Sequence, residues 1–221
     1  MKKQTASAYI LAMILIPCIL LGQRQEVIKL ADLYKKAKLI PINRQIKIVS
    51  GHRGAYLKIS ENKKEGIVWL PVKDFSNGTI EIEMRGKDVF QRSFIGVAFH
   101  GTDDSKYDAV YCRPFNFFAK DSVRRIHALQ YISQPDFTWE KLRNEYNALY
   151  EKEIPNPPNP DGWFIMRLEI EAATVRAYIN NAEYPSLTVE KLGNQTKGKI
   201  GLFTADSSGG DFKVIKILYK K

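Results

Sequence analysis

The sequence predicts an all-β fold, a sandwich of antiparallel strands with a short helical insertion, and three observations carry that reading. Short apolar-polar alternating runs follow one another along most of the chain, turn-forming residues separate them at regular spacing, and helical periodicity is confined to one stretch. The expected strands are Ile46–Ser50, Ala55–Ser60, Gly66–Val72, Gly78–Arg85, Phe94–His100, Tyr107–Arg113, Ile126–Ile132, Trp163–Glu171, Val175–Asn180, Leu187–Val189, Gly198–Thr204 and Phe212–Tyr219. Asn77-Gly78 and Asn180-Asn181 read as turns, because Asn and Gly tolerate positive φ. Phe164/Met166/Leu168/Ile170 and Val175/Ala177/Ile179 alternate cleanly on either side of Glu171–Thr174, the pattern of a hairpin.

The N-terminus is excluded from the fold. Lys2 and Lys3 precede an apolar stretch of 13 residues, Tyr9 to Leu21, which ends at the small residue Gly22. Such a run is short for a membrane span and has the form of a secretory signal peptide over residues 1–22. A retained anchor, or lipidation at Cys18, are the alternatives. Cleavage predicts a secreted or periplasmic protein, without stable membrane insertion, whose single domain covers residues 23–221. Its charge falls from +10 to +8, since Lys2 and Lys3 leave with no acid. The basic residues are scattered and an exported chain rarely meets nucleic acid, so a solvated surface or attraction to acidic polymers is expected instead. Mature protein keeps only Cys112, which rules out an internal disulfide and a cysteine metal cluster.

Between Asp136 and Tyr150, Leu142, Tyr146 and Leu149/Tyr150 recur at helical spacing, with Asp136 or Thr138 as the cap. The stiff segment Ile154-Pro-Asn-Pro-Pro-Asn-Pro-Asp-Gly162 comes next. This insertion reads either as a functional decoration or as a strap closing one end of the sandwich.

Alternation also sorts the central strands into faces. With Ile80/Ile82/Met84, Ile95/Val97/Phe99, Val110/Cys112 and Leu129/Tyr131 inward, the opposite face carries Glu81, Glu83, Arg85, His100, Tyr111, Arg113 and Gln130. Gly96, Ala98 and Ala128 leave room above the backbone. Glu81 and Glu83 stand about 6.5–7 Å apart along one strand face, a separation that serves either glycosidase stereochemistry once side-chain freedom is counted. Arg85 or Arg113 would moderate their repulsion. His100 would act as a base if Asp103, Asp104 or Asp108 oriented it. Tyr111, Arg113 and Gln130 combine an apolar face, a donor fork and an amide, which suits sugar hydroxyls. The alternatives are an Arg113–Glu81/Glu83 structural network, a strand-end His100 held by loop backbone, and a buried His127. Trp139 and Tyr146 read as a rim platform or as core plugs. No cofactor is called for; Asp103, Asp104 and Asp108 are the carboxylates that would gather calcium, without a recognisable calcium-loop spacing.

At Phe75-Ser-Asn-Gly-Thr-Ile-Glu-Ile-Glu-Met-Arg85 the chain resembles the entry to the central sheet of concanavalin A-like jelly rolls. More narrowly, it resembles the 3-keto-disaccharide hydrolase domain family and its laminin-G-like relatives. Phe94-Ile-Gly-Val-Ala-Phe-His100, Tyr107-Asp-Ala-Val-Tyr111, Arg113-Pro-Phe-Asn116, Gln130-Tyr131, Trp163-Phe164, Val175–Asn180, Gly198–Leu202 and Gly209–Phe212 continue the likeness. The resemblance implies a two-sheet antiparallel jelly-roll sandwich, exported and associated with oligo- or polysaccharides. The chain departs from one relative on this fold: family 16 glycoside hydrolases carry E-x-D-x-x-E, whereas Glu81-Ile-Glu83-Met-Arg85-Gly86 lacks the last acid. The resemblance and the outward side chains together support two readings of function. One is hydrolysis of a glycoside or 3-keto-glycoside, with Glu81 and Glu83 as acid and base and His100 as a proton carrier; Tyr111, Arg113, Gln130 and Arg85 would hold the substrate. The other is a non-catalytic module that binds carbohydrate or protein.

Overall fold

The computed structural model describes residues 24–220 apart from Arg53. The expected signal peptide and Cys18 lie outside the described residues. The chain opens with β1 (Arg24–Lys29), α1 (Leu30–Lys35), β2 (Ile40–Ile42), β3 (Ile46–Val49), β4 (Tyr56–Ile59) and β5 (Gly66–Trp69). Next come β6 (Asn77–Arg85), β7 (Ile95–Gly101), β8 (Tyr107–Cys112), a 3-10 turn at Pro114–Asn116, α2 (Ser122–Ile126) and β9 (Leu129–Gln134). Helix α3 (Trp139–Glu145) leads to β10 (Glu151–Lys152), β11 (Phe164–Ile170) and β12 (Thr174–Ile179). The chain ends with β13 (Leu187–Glu190), β14 (Lys199–Thr204) and β15 (Gly210–Lys220). Among the described residues no helix is long and apolar enough to cross a membrane.

The strands form two antiparallel sheets. The first has the order β13-β12-β11-β6-β15-β4-β3, with β1 also pairing β15; the second has the order β10-β9-β8-β7-β14-β5-β2. The inward sets are those the alternation predicts: Ile80, Ile82 and Met84 from β6 meet Val97, Phe99, Val110, Cys112, Leu129 and Tyr131 in one buried cluster. Each aliphatic side chain fully withdrawn from water contributes about 1.5–3 kcal/mol, so this layer supplies the main cohesion between the sheets. A smaller cluster lies on the outer face of the second sheet, where Trp69, Tyr107, Tyr111, Ile132 and Phe203 pack beneath Leu142 of α3. Thr138 caps α3, its Oγ1 accepting from the Lys141 N–H at 3.3 Å.

Several expectations change. The segment read as a strand from Ile126 is α2 up to Ile126, and β9 begins only at Leu129; Ala128 falls in the inter-sheet core. Asn77-Gly78 lies within β6, paired with Lys220 and Tyr219. Gly78 has φ +140, and a Cβ there would meet the Leu218 carbonyl oxygen at 1.8 Å, so only glycine fits. The largest correction is topological. β6 pairs with β11 and β15, whereas β7 pairs with β8 and β14. Residues 86–94 therefore carry the chain from one sheet to the other. Gly86 opens that crossing, where a Cβ would approach Ser93 Oγ and Pro114 Cγ at 2.6 Å. The proline-rich segment makes the return passage, from β10 to β11.

Candidate functional site

Strand register lays a transverse row over the outer face of the second sheet: Ile42, Ile67, Phe203, Gly96, Tyr111, Gln130 and Glu151. The row turns from apolar to polar as it crosses the sheet. Above it opens a cleft of about 830 Å³ with Tyr111, Ile132 and Phe203 in its floor. One wall is the sheet-crossing loop with Phe90 and Phe94, and another is Trp139 and Arg143 on α3. Asn116, Arg124 and His127 close the polar end, while Glu65 and Asp206 stand at the other.

The polar end is tightly bonded. Arg113 donates from Nη1 to the His127 carbonyl oxygen at 2.8 Å and from Nη2 to Tyr111 Oη at 2.9 Å and to Gln130 Oε1. Tyr111 donates in turn to Gln130 Oε1 at 3.0 Å. Arg143 grips Glu151 with two bonds, Nε to Oε1 at 3.1 Å and Nη2 to Oε2 at 2.9 Å. Arg113 Nη1 lies 3.6 Å from the same carboxylate, which therefore serves two guanidinium groups. A paired carboxylate is what permits the Arg113 guanidinium to be buried. Burial lowers the Arg113 pKa and raises that of Tyr111. His127 Nδ1 lies 2.8 Å from Glu151 Oε1, close enough for charge attraction but without hydrogen-bond alignment. Its imidazole is held below the usual histidine range, chiefly by burial, with Glu151 opposing and Arg143 adding to the depression.

The structure brings Tyr111, Arg113 and Gln130 together, as the alternation predicts, but Gln130 is fully buried beneath the other two. Its Oε1 holds Tyr111 and Arg113 in place while its Nε2 has no partner among the described residues. It is a positioning residue and does not reach the cleft. Arg113 finds its acid in Glu151, in place of Glu81 or Glu83. Trp139 is a rim residue, 43% exposed and lining the cleft, while Tyr146 packs edge-on against Tyr150.

Glu81, Glu83 and Arg85 belong elsewhere. They point outward from β6, but β6 lies in the first sheet, so their face is on the far side of the sandwich. There Glu81 pairs with Lys216 Nζ at 2.6 Å and Glu83 with Lys213 Nζ at 3.3 Å. Arg85 bonds Asp211 at 2.6 Å and lies between the Tyr56 and Trp163 rings.

His100 is turned to the interior by a bulge. Lys199 pairs with Gly101 and Gly201 with Ala98, so Phe99 and His100 together oppose Ile200. His100 has φ +52, and its fully buried ring stacks on Phe75. Nε2 stands 2.7 Å from the Ser76 carbonyl oxygen, and Nδ1 stands 3.3 Å from Asp108 Oδ2. A histidine sealed in this way cannot exchange protons with a substrate in the cleft.

The three aspartates diverge as well. Asp108 turns inward to His100 and Tyr131, Asp104 accepts from Trp69 Nε1 at 2.7 Å, and Asp103 accepts from the Ser105 and Lys106 amides at 2.8 Å. Among the described residues no group of three His, Cys, Asp or Glu side chains is placed to hold a metal ion.

Sequence reasoning placed His127 in the interior and passed over Glu151, Arg143 and Arg124. His127 caps the C-terminal end of α2 and faces the cleft. The one available signal was Trp139 and Arg143 at i, i+4 on a helix, a spacing that puts both on one face; the Arg143 guanidinium does lie over the Trp139 ring, 5.1 Å from its centroid.

No family model matches the sequence, and no curated protein does. Solved structures do. Carbohydrate binding module CBM66 from Bacillus subtilis is 11% identical with a TM-score of 0.53, covering 83% of this chain and 92% of that one. The exoplasmic/lumenal domain of VIP36, in a form bound to calcium and Man3GlcNAc, is 9% identical with a TM-score of 0.55, covering 84% and 86%. A candidate glycosyl hydrolase from Parabacteroides distasonis is 12% identical with a TM-score of 0.52, covering 84% and 89%. The fold is a concanavalin A-like jelly roll. Identities this low establish architecture alone, and function has to be argued from the cleft.

Proposed function

We propose that this protein is an exported carbohydrate-recognising β-sandwich whose cleft on the outer face of the second sheet takes an oligo- or polysaccharide. The observation that carries the reading is the pairing, in one open depression, of aromatic surfaces with fixed polar groups. Trp139 and Phe94 flank Tyr111, and beside them Arg113, Arg143 and Asn116 present donors and acceptors held by their own bonds. Sugars offer C–H patches and hydroxyls in the same alternation, and fixed side chains lose little entropy on binding them. The structural likeness to a carbohydrate binding module supports the reading at the level of fold. Export rests on the N-terminal signal pattern. The test is calorimetric titration with a panel of neutral and acidic oligosaccharides, comparing the wild type with Trp139→Ala. Saturable binding that weakens in the variant supports the cleft; absence of binding across the panel defeats the proposal.

A second reading, glycan breakdown in the same cleft, is favoured by one feature. His127 faces the cleft with a carboxylate, Glu151, 2.8 Å behind its Nδ1. A carboxylate so placed would favour the imidazolium formed when His127 takes a proton from carbon beside a sugar carbonyl, the step that the resemblance to 3-keto-disaccharide hydrolases implies. 3-Keto disaccharides should then release monosaccharide with wild type and not with His127→Gln, while plain disaccharides, which lack the carbonyl, should stay intact. If neither class is turned over while sugars still bind, the protein is a binding module.

A further inference from the structure

The cleft is electrically lopsided. Lys64, Arg92, Arg113, Arg124 and Arg143 line it against Glu65 and Asp206. Both lining acids stand at the end away from Arg113, Arg124 and Arg143, where Arg44 lies beside them. Asp206 accepts from the Lys64 amide at 2.6 Å, and Glu65 accepts from Gln134 Nε2 at 3.0 Å. At the other end Glu151 answers Arg113 and Arg143 together, so that group already carries one cation more than it has anions.

Arg124 adds a second. It donates Nε to Asn116 Oδ1 at 3.3 Å and Nη2 to the Phe115 carbonyl oxygen at 3.1 Å, and both acceptors are neutral. Its guanidinium lies over the Phe90 ring, 4.6 Å from the centroid. Among the described residues it has no carboxylate partner, and Nη1 is left without an acceptor. A guanidinium fixed on three sides, half withdrawn from water and lacking a counter-charge, is a prepared anion site. A neutral sugar would leave that charge unanswered.

We infer that the saccharide taken by this cleft is acidic, and that Arg124 receives an anionic substituent of one sugar ring, a uronate carboxylate or a sulfate ester. This rests on the carbohydrate reading above and narrows it. The scattered lysines of the rest of the surface would attract polyanions weakly and without regard to ring position; a single oriented guanidinium beside the Trp139 and Phe94 surfaces makes the attraction local.

The test uses the full chain and calorimetric titration with three matched probes: an oligogalacturonate, the same oligosaccharide reduced at its carboxyl groups, and a sulfated galactan fragment. A panel of neutral glucan, mannan and fructan fragments accompanies them. The uronate should bind about tenfold more tightly than its reduced counterpart, the yield of one charge-assisted bond, and the margin should shrink with added salt. Arg124→Leu should abolish the margin and Arg124→Lys should restore part of it, while Lys216→Leu on the far sheet keeps it. Preference for the sulfated fragment assigns the anion to sulfate. No preference for either the uronate or the sulfated fragment over the reduced form overturns the acidic assignment and leaves the carbohydrate reading standing. A margin that survives Arg124→Leu overturns the role of Arg124, and binding of no saccharide at all defeats the underlying proposal.

Discussion

Tyr111 lies directly across Gly96. A Cβ added to Gly96 would come within 2.6 Å of the Tyr111 Cα and 2.0 Å of the Val110 carbonyl oxygen. The two residues are register partners on β7 and β8 in the middle of the second sheet. The absence of a side chain at Gly96 lets Tyr111 settle into the floor of the cleft, where its Oη can reach both Arg113 and Gln130. Even one methyl group has nowhere to go without parting the strands. Gly96→Ala should therefore destabilise by about 1–3 kcal/mol, a fall in Tm of roughly 2–4 °C per kcal/mol for a chain of this size. Thermal unfolding measures it, and an unchanged Tm would mean that Tyr111 is held by something other than this contact.

Glu81 and Glu83 stand on the far side of the sandwich from the cleft, each beside a lysine. Glu81→Gln and Glu83→Gln should leave saccharide affinity and any turnover unaltered. Half-exposed pairs of this kind contribute about 0–1 kcal/mol each, so stability should move little. A severe loss of turnover in either variant would return the chemistry to the first sheet.

The inside and outside of each strand were legible because period-two alternation is a local property. Ile82 and Val97 point where their neighbours say they should, and both are completely buried. Sheet membership is not local. Alternation puts Glu83 outward and Tyr111 outward, yet it contains nothing to say that residues 86–94 pass from one sheet to the other between them. His100 was misread for a related reason: a bulge inserts one residue and reverses the facing of the residues beyond it, and a bulge leaves only a weak trace in sequence. The cleft residues escaped for a third reason. Arg124 and His127 belong to a five-residue helix and its C-terminal cap, and Glu151 to a two-residue strand. Segments so short carry too few side chains to show any period.

Trp139 is 43% exposed, so little core packing depends on it. Its ring is covered on one side by the Arg143 guanidinium, which Glu151 anchors from behind. Trp139→Ala should weaken saccharide binding by about fivefold to tenfold, corresponding to roughly 1–1.4 kcal/mol of lost aromatic contact. Its urea midpoint should stay close to that of the wild type. A large stability loss without an affinity change would recast the ring as a core plug.

Arg113 and Glu151 are unequal partners in their network. Removing Arg113 still leaves Glu151 two bonds to Arg143, whereas removing Glu151 leaves two guanidinium groups facing each other with no anion between them. Glu151→Leu should cost about 3–5 kcal/mol, the range for a broken buried pair. Arg113→Met should cost less. Urea denaturation of the two variants gives the order directly, and the reverse order would show that the Tyr111 and Gln130 bonds to Arg113 outweigh charge balance.

His127 offers a test in which two influences have opposite signs. Burial and the Arg143 and Arg113 charges push its pKa down, and the neighbouring Glu151 carboxylate pushes it up. The net direction is downward, so the folded state resists a proton that the unfolded chain accepts near pH 6.5. Above that pH both states hold a neutral imidazole and His127 has no pH-dependent effect. As pH falls below it, the unfolded chain binds the proton first and stability declines until the folded pKa is reached. His127→Gln should remove this component, so the stability of wild type relative to the variant should drop as pH is lowered from about 7 towards 5. Other titrating groups are common to both proteins and cancel to first order in the difference. If the difference grows on acidification, the imidazolium is being stabilised, and the Glu151 carboxylate then outweighs burial and both arginines.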